Sequence, residues 1–458
     1  MLPIVTPEEM RAIDTWAPEP PEVLIERAGA AVARAAVRML GGTYGRTVAI
    51  IAGPGNNGAD GRVAARLLSE RGVRVQLLDP AGVNGVDRSR IDPSRVDLVI
   101  DAAYGTGFHG RWNPPEVGEV PVLAVDVPSG VDALTGEAGG SVLAATRTVT
   151  FAALKPGLLV PPGSELVGEL ELADIGLAVD TAQAHLVQQA DVAQWWPRRD
   201  VDAHKWQGAL RVVAGSPTMT GAAVLASRAA MRAGCGMVKL SVPGQLAANA
   251  PIEVVQQLLG RTGWAQDALA SLDRFRAVVV GPGLGRDDDT TAQTRRFVIG
   301  APLPAVVDGD ALFALAWNAD GAAALLRRRT APTLLTPHDG EYKLLTGSSA
   351  TPDRFVAARR LAADTGCVVL LKGPATVIAD PRGKVLVVTA GDSRLATAGT
   401  GDVLAGIIGA LLAAGLPVLH AAAAGAWVHG RAARRAPALG LVAGDLAEMI
   451  PAVIDSLW

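Results

Sequence analysis

Short apolar runs alternate with helix-like patterns through the first 175 residues of the chain. Runs of this length, rich in Val, Ile, Leu and Ala, are typical of parallel strands that are buried on both faces. A capping box of Thr6 and Glu9, with Pro7 at the first helical position, marks the start of the first helix. Further helices are predicted over residues 22–40 and 62–71. The predicted strands cover residues 47–51, 73–78, 96–100, 120–125 and 146–151.

The pattern weakens after Ile175, and residues 191–206 have the composition of a connector. A second alternation of strands and helices follows. Such alternation indicates a doubly wound α/β sheet in each half. We therefore expect two α/β domains, residues 1–195 and residues 200–458. The predicted strands of the second half cover residues 210–213, 237–241, 277–280, 305–307, 333–335, 367–371 and 385–388.

Residues 403–430 contain no Asp, Glu, Lys or Arg, and a stretch of this length can span a bilayer. However, Gly415, Leu416 and Pro417 interrupt it, and two histidines lie inside it. Two buried helices joined by a turn account for these breaks better than a membrane span. The sequence therefore predicts no membrane partner.

Composition narrows the class of protein further. The chain has 458 residues, of which 49% are hydrophobic and 19% charged, as in globular proteins. A net charge of −3 argues against a nucleic-acid partner. The two cysteines, Cys235 and Cys367, are too few for a disulfide framework, and the N-terminus lacks the pattern of a signal peptide. We expect a cytoplasmic protein.

Residues 53–58 follow a predicted strand, precede a helix and match the pattern G-x-G-x-x-G. This pattern predicts a dinucleotide-binding turn with phosphates at the helix N-terminus, and Asp79 lies near the distance expected of a ribose-binding acid. A tight strand-to-helix turn without a ligand is the alternative.

Polar residues also follow the next strands. In a doubly wound sheet the loops after the strands meet in one crevice, so Asn57, Asp101 and Ser129 can provide oxygen ligands to a hard cation. Asp126, at a strand end, is a candidate acid/base group. Lys155 is a further candidate charge, although a solvated lysine is equally consistent with the sequence.

In the second half, residues 398–402 read Ala-Gly-Thr-Gly-Asp and precede a long apolar helix. Backbone N–H groups at such a helix start can bind an anion, and Asp402 can accept a proton from a substrate hydroxyl during phosphoryl transfer. An N-capping role for Asp402 is the alternative. Lys372 and Thr376 are candidate phosphate contacts, and His338 is a candidate ligand contact or a turn residue. No P-loop motif is present.

The motifs of the first half resemble the NAD(P)H-hydrate epimerase domain, which has a Rossmann-like fold and interconverts the R and S forms of nicotinamide nucleotides hydrated at C6. The family usually has glycine where this chain has Ala59. The resemblance implies that Asn57, Asp101 and Ser129 hold a potassium ion and that Asp126 is catalytic and contacts the substrate. It implies these further substrate contacts: Asn56, Asn57, Gly58, Ala59, Asp60, Gly105, Thr106, Gly107, Phe108, His109, Gly110 and Arg111.

The second half is similar to the ADP/ATP-dependent NAD(P)H-hydrate dehydratases, which have a ribokinase-like fold. The matching motifs include residues 204–208, 281–285, 307–311, 336–341, 371–376 and 396–406. The resemblance implies a catalytic Asp402, a nucleotide carrying magnesium, and use of ADP, with ATP as a possible replacement. The implied contacts to the hydrate are Ala222, Gly283, Gly285, His338 and Asp402. The implied contacts to the nucleotide are Lys372, Gly373, Pro374, Ala375, Thr376 and Gly401.

Together the two halves resemble the bifunctional NAD(P)H-hydrate repair enzymes over nearly the whole chain. The resemblance implies that the first half supplies the S hydrate, that the second half converts it to NADH or NADPH, and that the chain forms a homo-oligomer. Three alternatives remain from the residues alone. They are an NAD-dependent oxidoreductase, a ribokinase-type small-molecule kinase fused to a dinucleotide-binding domain, and a sensor that binds hydrates without turnover.

Overall fold

A computed structural model describes residues 1–79, 91–318 and 321–458 of the chain. The chain divides into two compact units, residues 2–183 and 184–458. The division lies earlier than the one expected near residue 200. The reason is that a strand, β8 (Ala184–Leu186), pairs with a strand of the second unit, Val385–Val388, and so belongs to that unit. The three-residue strand is too short to give a clear sequence signal.

The first unit is a parallel α/β sheet. Its helices are α1 (Pro7–Thr15), α2 (Pro21–Leu40), α3 (Asn56–Glu70) and α4 (Gly163–Leu166). Its strands are β1 (Leu2–Ile4), β2 (Thr47–Ala52), β3 (Arg74–Leu78), β4 (Leu98–Ala102), β5 (Val122–Val125), β6 (Arg147–Phe151) and β7 (Glu169–Ala173). The capping box of Thr6 and Glu9 is present at α1, and α2 ends at Gly41 in a left-handed conformation, both as predicted.

The six-stranded sheet of this unit has the order β3-β2-β4-β5-β6-β7, with every neighbouring pair parallel. The chain moves outward from β2 to β3 and then returns to the other side of β2 at β4. This reversal creates the crevice in which doubly wound sheets bind ligands, outside the carboxyl ends of the strands. Strand β7 is an edge strand with mixed residues, and the sequence did not predict it.

The second unit contains a larger mixed sheet. Its helices are α5 (Gln189–Trp195), α6 (Thr220–Arg232), α7 (Ala265–Leu269), α8 (Asp288–Gly300), α9 (Asp310–Ala316), α10 (Gly321–Leu326), α11 (Asp339–Thr346), α12 (Arg354–Thr365), α13 (Thr400–Ala413), α14 (Val418–Arg435) and α15 (Ala443–Asp455). Besides β8, its strands are β9 (Ala209–Val213), β10 (Met237–Pro243), β11 (Val255–Leu259), β12 (Ala277–Val280), β13 (Ala305–Val307), β14 (Thr333–Leu335), β15 (Val368–Leu371), β16 (Thr376–Ala379) and β17 (Val385–Val388).

The sheet of the second unit has the order β8-β17-β16-β15-β14-β13-β12-β9-β10-β11. Strand β16 runs antiparallel to both of its neighbours, while the other pairs within this order are parallel. The sequence missed β11, β16 and α5. It assigned Thr376 to a phosphate-binding loop and residues 191–206 to a connector, but Thr376 begins β16 and α5 occupies the start of the connector.

The long uncharged stretch forms α13 and α14, as predicted. The two helices are separated by a turn in which Gly415 has a φ of 91°. Nearly every side chain of α13 is buried against α6 and the sheet. Within the described residues, the helices all fall short of the length and apolar character needed to cross a bilayer.

Candidate functional site

The first candidate site begins where β2 passes into α3. The helix starts at Asn56, six residues earlier than predicted, so the predicted loop residues Asn57, Ala59 and Asp60 lie in helical turns. Gly58 stands directly against Gly53, because an added Cβ on Gly58 would lie 1.8 Å from the Gly53 carbonyl oxygen. Ala59 is accommodated in right-handed helical backbone, so the family's usual glycine is not needed there for its backbone freedom.

The close contact between Gly58 and Gly53 gives a stability prediction. Replacing Gly58 by Ala forces the strand-to-helix turn apart and is expected to lower the free energy of unfolding by about 2–3 kcal/mol. Urea unfolding followed by circular dichroism measures the change. Gly107→Ala is the matched control, because an added Cβ at Gly107 meets no atom within 4 Å. Equal stability of the Gly58 variant and the wild type would contradict the close packing.

Asp126 is the centre of a buried polar network. Its Oδ1 accepts hydrogen bonds from Lys155 Nζ at 2.6 Å and Thr150 Oγ1 at 3.0 Å, and its Oδ2 accepts one from the Thr106 backbone N–H at 3.2 Å. Lys155 is 1% exposed, so its ammonium forms a buried ion pair rather than the solvated surface charge of the alternative interpretation. Asp126 has a φ of 66°, a strained conformation for an aspartate that is typical of functional sites.

Asp101 and Ser129, two of the predicted potassium ligands, are in direct contact. Ser129 donates from its hydroxyl to Asp101 Oδ1 at 2.6 Å and from its backbone N–H to Oδ2 at 2.9 Å. Asp101 is fully buried, and burial raises the pKa of its carboxyl. Asn57, the third predicted ligand, has a buried amide whose oxygen and nitrogen lack partners among the described residues. A buried amide oxygen without a partner, a carboxylate and a hydroxyl are the kinds of oxygen ligand that suit a hard monovalent cation.

A cavity of about 1050 Å³ opens over this network. Gly105 lies between Asp126 and Asn57 in its lining. An added Cβ on Gly105 would lie 3.1 Å from Asp126 Oδ2 and 3.3 Å from Asn57 Cγ. Six of the predicted site residues of this unit do not line the cavity: Gly58, Ala59, Asp101, Gly110, Arg111 and Ser129. The predicted residues that line the cavity are Asn56, Asn57, Asp60, Gly105, Thr106, Gly107, Phe108, His109 and Asp126.

The cavity also contains carboxyl groups with different surroundings. Asp60 is 7% exposed, and burial together with the nearby Asp126 raises its pKa to about 8. Asp126, in contrast, is paired with Lys155. Two carboxyl groups with such different surroundings are a typical acid/base arrangement. Asp14 on α1 lines the same cavity, and burial raises its pKa too, yet nothing in the amphipathic pattern of α1 distinguished it.

The second candidate site lies at the start of α13. Gly399 precedes the helix with a φ of 90°, a backbone conformation that glycine adopts without strain. The N–H of Thr400 donates to the Thr397 carbonyl oxygen at 3.3 Å. The N–H groups of Gly401 and Asp402, also in the first turn, have no carbonyl of the preceding helical turn to donate to. An added Cβ on Gly401 would lie 3.6 Å from Lys372 Nζ, so the predicted nucleotide-binding lysine stands directly over the helix start.

Lys372 is held by carboxylates. Its Nζ lies 2.9 Å from Asp308 Oδ1 and 3.6 Å from Glu341 Oε2. Burial, and then the charge of Asp308, raise the pKa of Asp402 to about 7, while Lys372 opposes the increase. A carboxyl group with a pKa near the working pH is suited to accept a proton in a reaction. The sequence analysis gave roles to Asp402 and Lys372, whereas Asp308 and Glu341 lay inside matching motifs without an assigned role.

This pKa gives a pH prediction. Below about pH 7 the carboxyl of Asp402 gains a proton and can no longer accept one, so a reaction that uses it as a base should slow as the pH falls. We expect the kcat of the second unit to fall about tenfold for each pH unit well below 7. A stopped assay between pH 5.5 and 9 measures this fall of kcat on the acidic side, the acidic limb of the pH profile. A flat profile would contradict a role for Asp402 as the base.

His338 acts as the N-cap of α11. Its Nδ1 accepts from the backbone N–H groups of Gly340 and Glu341, at 3.0 and 3.2 Å. Its side chain is 59% exposed, so the capping role observed here leaves the ring edge accessible to a ligand. Arg354, which the sequence did not single out, donates to the Lys372 carbonyl oxygen at 2.8 Å and to Asp339 Oδ1 at 2.9 Å. It therefore fixes the segment after β15.

The remaining predicted residues of the second unit have other neighbours. Gly283 is adjacent to Ala222, since an added Cβ on Gly283 would lie 2.9 Å from the Ala222 Cβ. Gly285 donates its N–H to Asp310 Oδ2 at 2.9 Å. Ala375 is 2% exposed, so its side chain faces the core rather than a ligand. Gly373 packs against Arg354, since an added Cβ on Gly373 would lie 2.8 Å from Arg354 Nη2. Pro374 completes this segment.

A Rossmann-like unit with a lysine-paired aspartate, and a second α/β unit with an aspartate at a glycine-rich helix start, define a two-domain enzyme that acts on nucleotides. Residues 210–454 match the family model described as NAD(P)H-hydrate dehydratase. Residues 21–84 and 79–157 match the model described as YjeF-related protein N-terminus.

Whole-chain relatives agree with both family models. The bifunctional NAD(P)H-hydrate repair enzyme of Moorella thermoacetica is 37% identical over 99% of this chain and 97% of its own length. The enzyme of the same name from Mycobacterium leprae is 41% identical over 90% of this chain and 89% of its own. The chain belongs to the family of bifunctional NAD(P)H-hydrate repair enzymes.

Solved structures support the fold of the second unit. A ribokinase-like superfamily protein of Enterococcus faecalis covers 60% of this chain and 96% of its own, with 19% identity and a TM-score of 0.52. The ADP/ATP-dependent NAD(P)H-hydrate dehydratase of Bacillus subtilis, co-crystallised with ATP and Mg²⁺, covers 59% of this chain and 98% of its own, with 30% identity and a TM-score of 0.52. The predicted ribokinase-like fold is confirmed.

Proposed function

We propose that this chain repairs hydrated NADH and NADPH in two steps, one in each unit. The first unit interconverts the R and S hydrates, and the second unit dehydrates the S hydrate with a nucleotide as co-substrate. The observation that carries the proposal is the pair of acid/base sites, Asp126 with Lys155 and Asp402 with Lys372, on a chain of this family. An oxidoreductase, a simple kinase or a sensor would not require both.

In the first unit, the cavity holds the hydrated ring, and Asp126 is the acid/base group. Loss of water from C6 leaves a cation that the ring nitrogen stabilises, and return of water to the other face inverts C6. Asp60, held protonated at neutral pH by burial and by the nearby Asp126, is suited to give the leaving hydroxyl its proton. The Asp126 carboxylate, paired with the Lys155 ammonium, is suited to take a proton from the incoming water.

Asn57, Asp101 and Ser129 are the residues that would hold potassium in this unit. The support is the unpartnered Asn57 amide oxygen and the contact between Asp101 and Ser129. A bound cation would balance the charge of Asp101 and fix the loops that border the cavity. We propose potassium rather than magnesium, because magnesium demands an ideal octahedral shell and gives up its water reluctantly.

In the second unit, the terminal phosphoryl group of the nucleotide is transferred to the C6 hydroxyl. The O–H proton passes to Asp402, and the backbone N–H groups of Gly399 and Gly401 would bind the phosphoryl oxygens. Phosphate then leaves with the C6–O bond electrons, and the C5 proton passes to solvent, which restores the ring double bond. Lys372 is suited to bind the nucleotide phosphates.

Magnesium would bind in this unit mainly through the nucleotide. Within the described ranges, no group of three or more His, Cys, Asp or Glu residues is arranged to hold a metal ion by itself. Magnesium in such sites is usually bound by substrate phosphates with one or two carboxylates, and here it would neutralise charge on those phosphates.

We further propose that the second unit uses ADP in preference to ATP. The support is the resemblance to bacterial family members. The expected result is a higher kcat/KM with ADP when the two nucleotides are compared separately with purified S hydrate, measured through NADH absorbance in the near ultraviolet. The Asp402→Asn variant provides the background rate. Faster turnover with ATP at equal concentration would contradict this preference.

Finally, we propose that the protein works in the cytoplasm as a homo-oligomer. Cys235 and Cys367 are both buried free thiols, which fits a reducing compartment. Light scattering coupled to size exclusion tests the oligomeric state, and a mass matching one chain of 47.0 kDa would contradict it.

The experiment that tests the proposed function uses a mixture of R and S NADH hydrate with ADP, magnesium and potassium. We expect all of the hydrate to become NADH, and only the S portion to do so when Asp126 is replaced. A reaction without enzyme measures spontaneous epimerisation, which must be slow on this timescale. Absence of NADH with both ADP and ATP would refute the proposal.

A further inference from the structure

Asp308 is a buried carboxylate to which the sequence motifs gave no role. It follows strand β13 directly and is 3% exposed. Its Oδ1 accepts a hydrogen bond from Thr336 Oγ1 at 2.7 Å and one from Lys372 Nζ at 2.9 Å. These partners directly follow two neighbouring strands, β14 and β15. The pair therefore lies at the carboxyl ends of adjacent strands of the sheet.

The Asp308–Lys372 pair stands directly over the start of α13. An added Cβ on Gly401 would lie 3.6 Å from Lys372 Nζ and 3.9 Å from Asp308 Oδ2. Asp402 is the next residue, and its Oδ2 lies 3.9 Å from a Cβ added on Gly399. The buried pair, the anion-binding helix start and the proposed base therefore share one small volume.

We propose that Asp308 is a positioning residue for the dehydration step, which acts through two neighbours. Its negative charge strengthens the affinity of Asp402 for a proton, and its carboxylate holds the Lys372 ammonium at the place where a phosphoryl group is transferred. This inference rests on the proposed function of the second unit. It adds a role for a side chain that need not touch the hydrate or the nucleotide.

The charges that face Asp402 support this role. Asp308, Asp310 and Glu341 raise the pKa of Asp402, with Asp308 the largest of the three, and Lys372 lowers it. Asp310 is already paired with Arg286, at 2.7 Å. His429 on α14, which interacts with Thr400 and Lys372, is buried, and burial lowers its pKa to about 4, so it is neutral at the pH of the reaction.

Removing the charge of Asp308 should therefore weaken Asp402 as a base in two ways. The repulsion between the two carboxylates disappears, and the Lys372 ammonium is free to pair with Glu341 or with Asp402 itself. Both changes favour the charged form of Asp402. Removing the charge of Lys372 has the opposite effect, because Asp308 then repels the Asp402 carboxylate without compensation. Substitutions at the two ends of one ion pair should move the same titration in opposite directions.

The test is the pH dependence of kcat for purified S hydrate at saturating nucleotide, with the full chain. In the wild type the acidic limb should lie near pH 7. In Asp308→Asn it should move down by about one pH unit, and in Lys372→Met it should move up by a similar amount. Thr336→Val is the matched control, since it removes a hydrogen bond to Asp308 and keeps the charge, and its limb should stay in place.

A limb that stays near pH 7 in Asp308→Asn overturns the proposal, even where kcat falls, because a uniform loss indicates a structural role only. Where Asp308→Asn fails to fold, Lys372→Met decides, and a limb that does not rise overturns the proposal. Asp308→Glu should restore the wild-type limb. Should the wild type show no turnover at all, the proposed function fails separately, and carbon NMR titration of the Asp402 carboxyl still tests its coupling to Asp308.

Discussion

Replacing Asp402 by Asn should abolish dehydration of the S hydrate, with kcat reduced about a thousandfold. An amide cannot accept the hydroxyl proton, although it keeps the shape of the side chain at the start of α13. Burial and Asp308 also raise the pKa of Asp402 to about 7, so the carboxyl can exchange a proton near neutral pH. The rate of NADH formation from purified S hydrate and ADP measures the effect.

The same variant contains its own control. Epimerisation of the R hydrate by Asp402→Asn should match that of the wild type, because the network around Asp126 belongs to the other unit. Retained epimerisation would show that the variant is folded. A loss of less than tenfold in dehydration would mean that Asp402 serves only as a helix cap, the alternative that its position in the first turn also allows.

The second large effect is expected at Asp126. Asp126→Asn should lower the rate of enzymatic epimerisation by about a hundredfold or more, because it removes a proton acceptor and leaves the buried Lys155 ammonium without its counter-charge. Separation of the R and S hydrates by chromatography after timed incubation without nucleotide measures this rate. Dehydration of the S hydrate should be unchanged.

Thr150→Val is the matched control for Asp126. It removes the hydrogen bond donated to Asp126 Oδ1 and the one accepted from Lys155 Nζ, but keeps the carboxylate and the Lys155 ion pair, so epimerisation should fall by less than tenfold. An equal loss in both variants would indicate that the network has a structural role and that the proton transfer occurs elsewhere in the cavity.

Much of the fold could be predicted from the sequence because buried parallel strands are short apolar runs with clear boundaries. The start of α3 could not be predicted in this way. Gly58 and Gly61 are poor helix formers, and they suggested a loop that reached residue 62. The structure explains both glycines by close packing, since an added Cβ on Gly58 would strike Gly53 and one on Gly61 would lie 2.6 Å from Ala102 Cβ.

The candidate sites divide in a similar way. Asp126 and Asp402 follow strands or precede helices in recognisable motifs, so the sequence alone could identify them as candidate acid/base groups. Lys155 pairs with a residue 29 positions away, and Lys372 pairs with Asp308 across 64 positions. Such pairs depend on which strand ends become neighbours in the sheet, and no local pattern encodes that order. Strand β16 shows the same limit, because its antiparallel direction interrupts a parallel series.

The central claim is that one chain performs both steps of hydrate repair. The most direct test is incubation of purified R NADH hydrate with the wild-type protein and potassium, first without nucleotide and then with ADP and magnesium. The account predicts a mixture of R and S hydrates in the first stage, formed faster than without enzyme, and complete conversion to NADH in the second. R hydrate that remains unchanged in the first stage, or S hydrate that persists in the second, would contradict it.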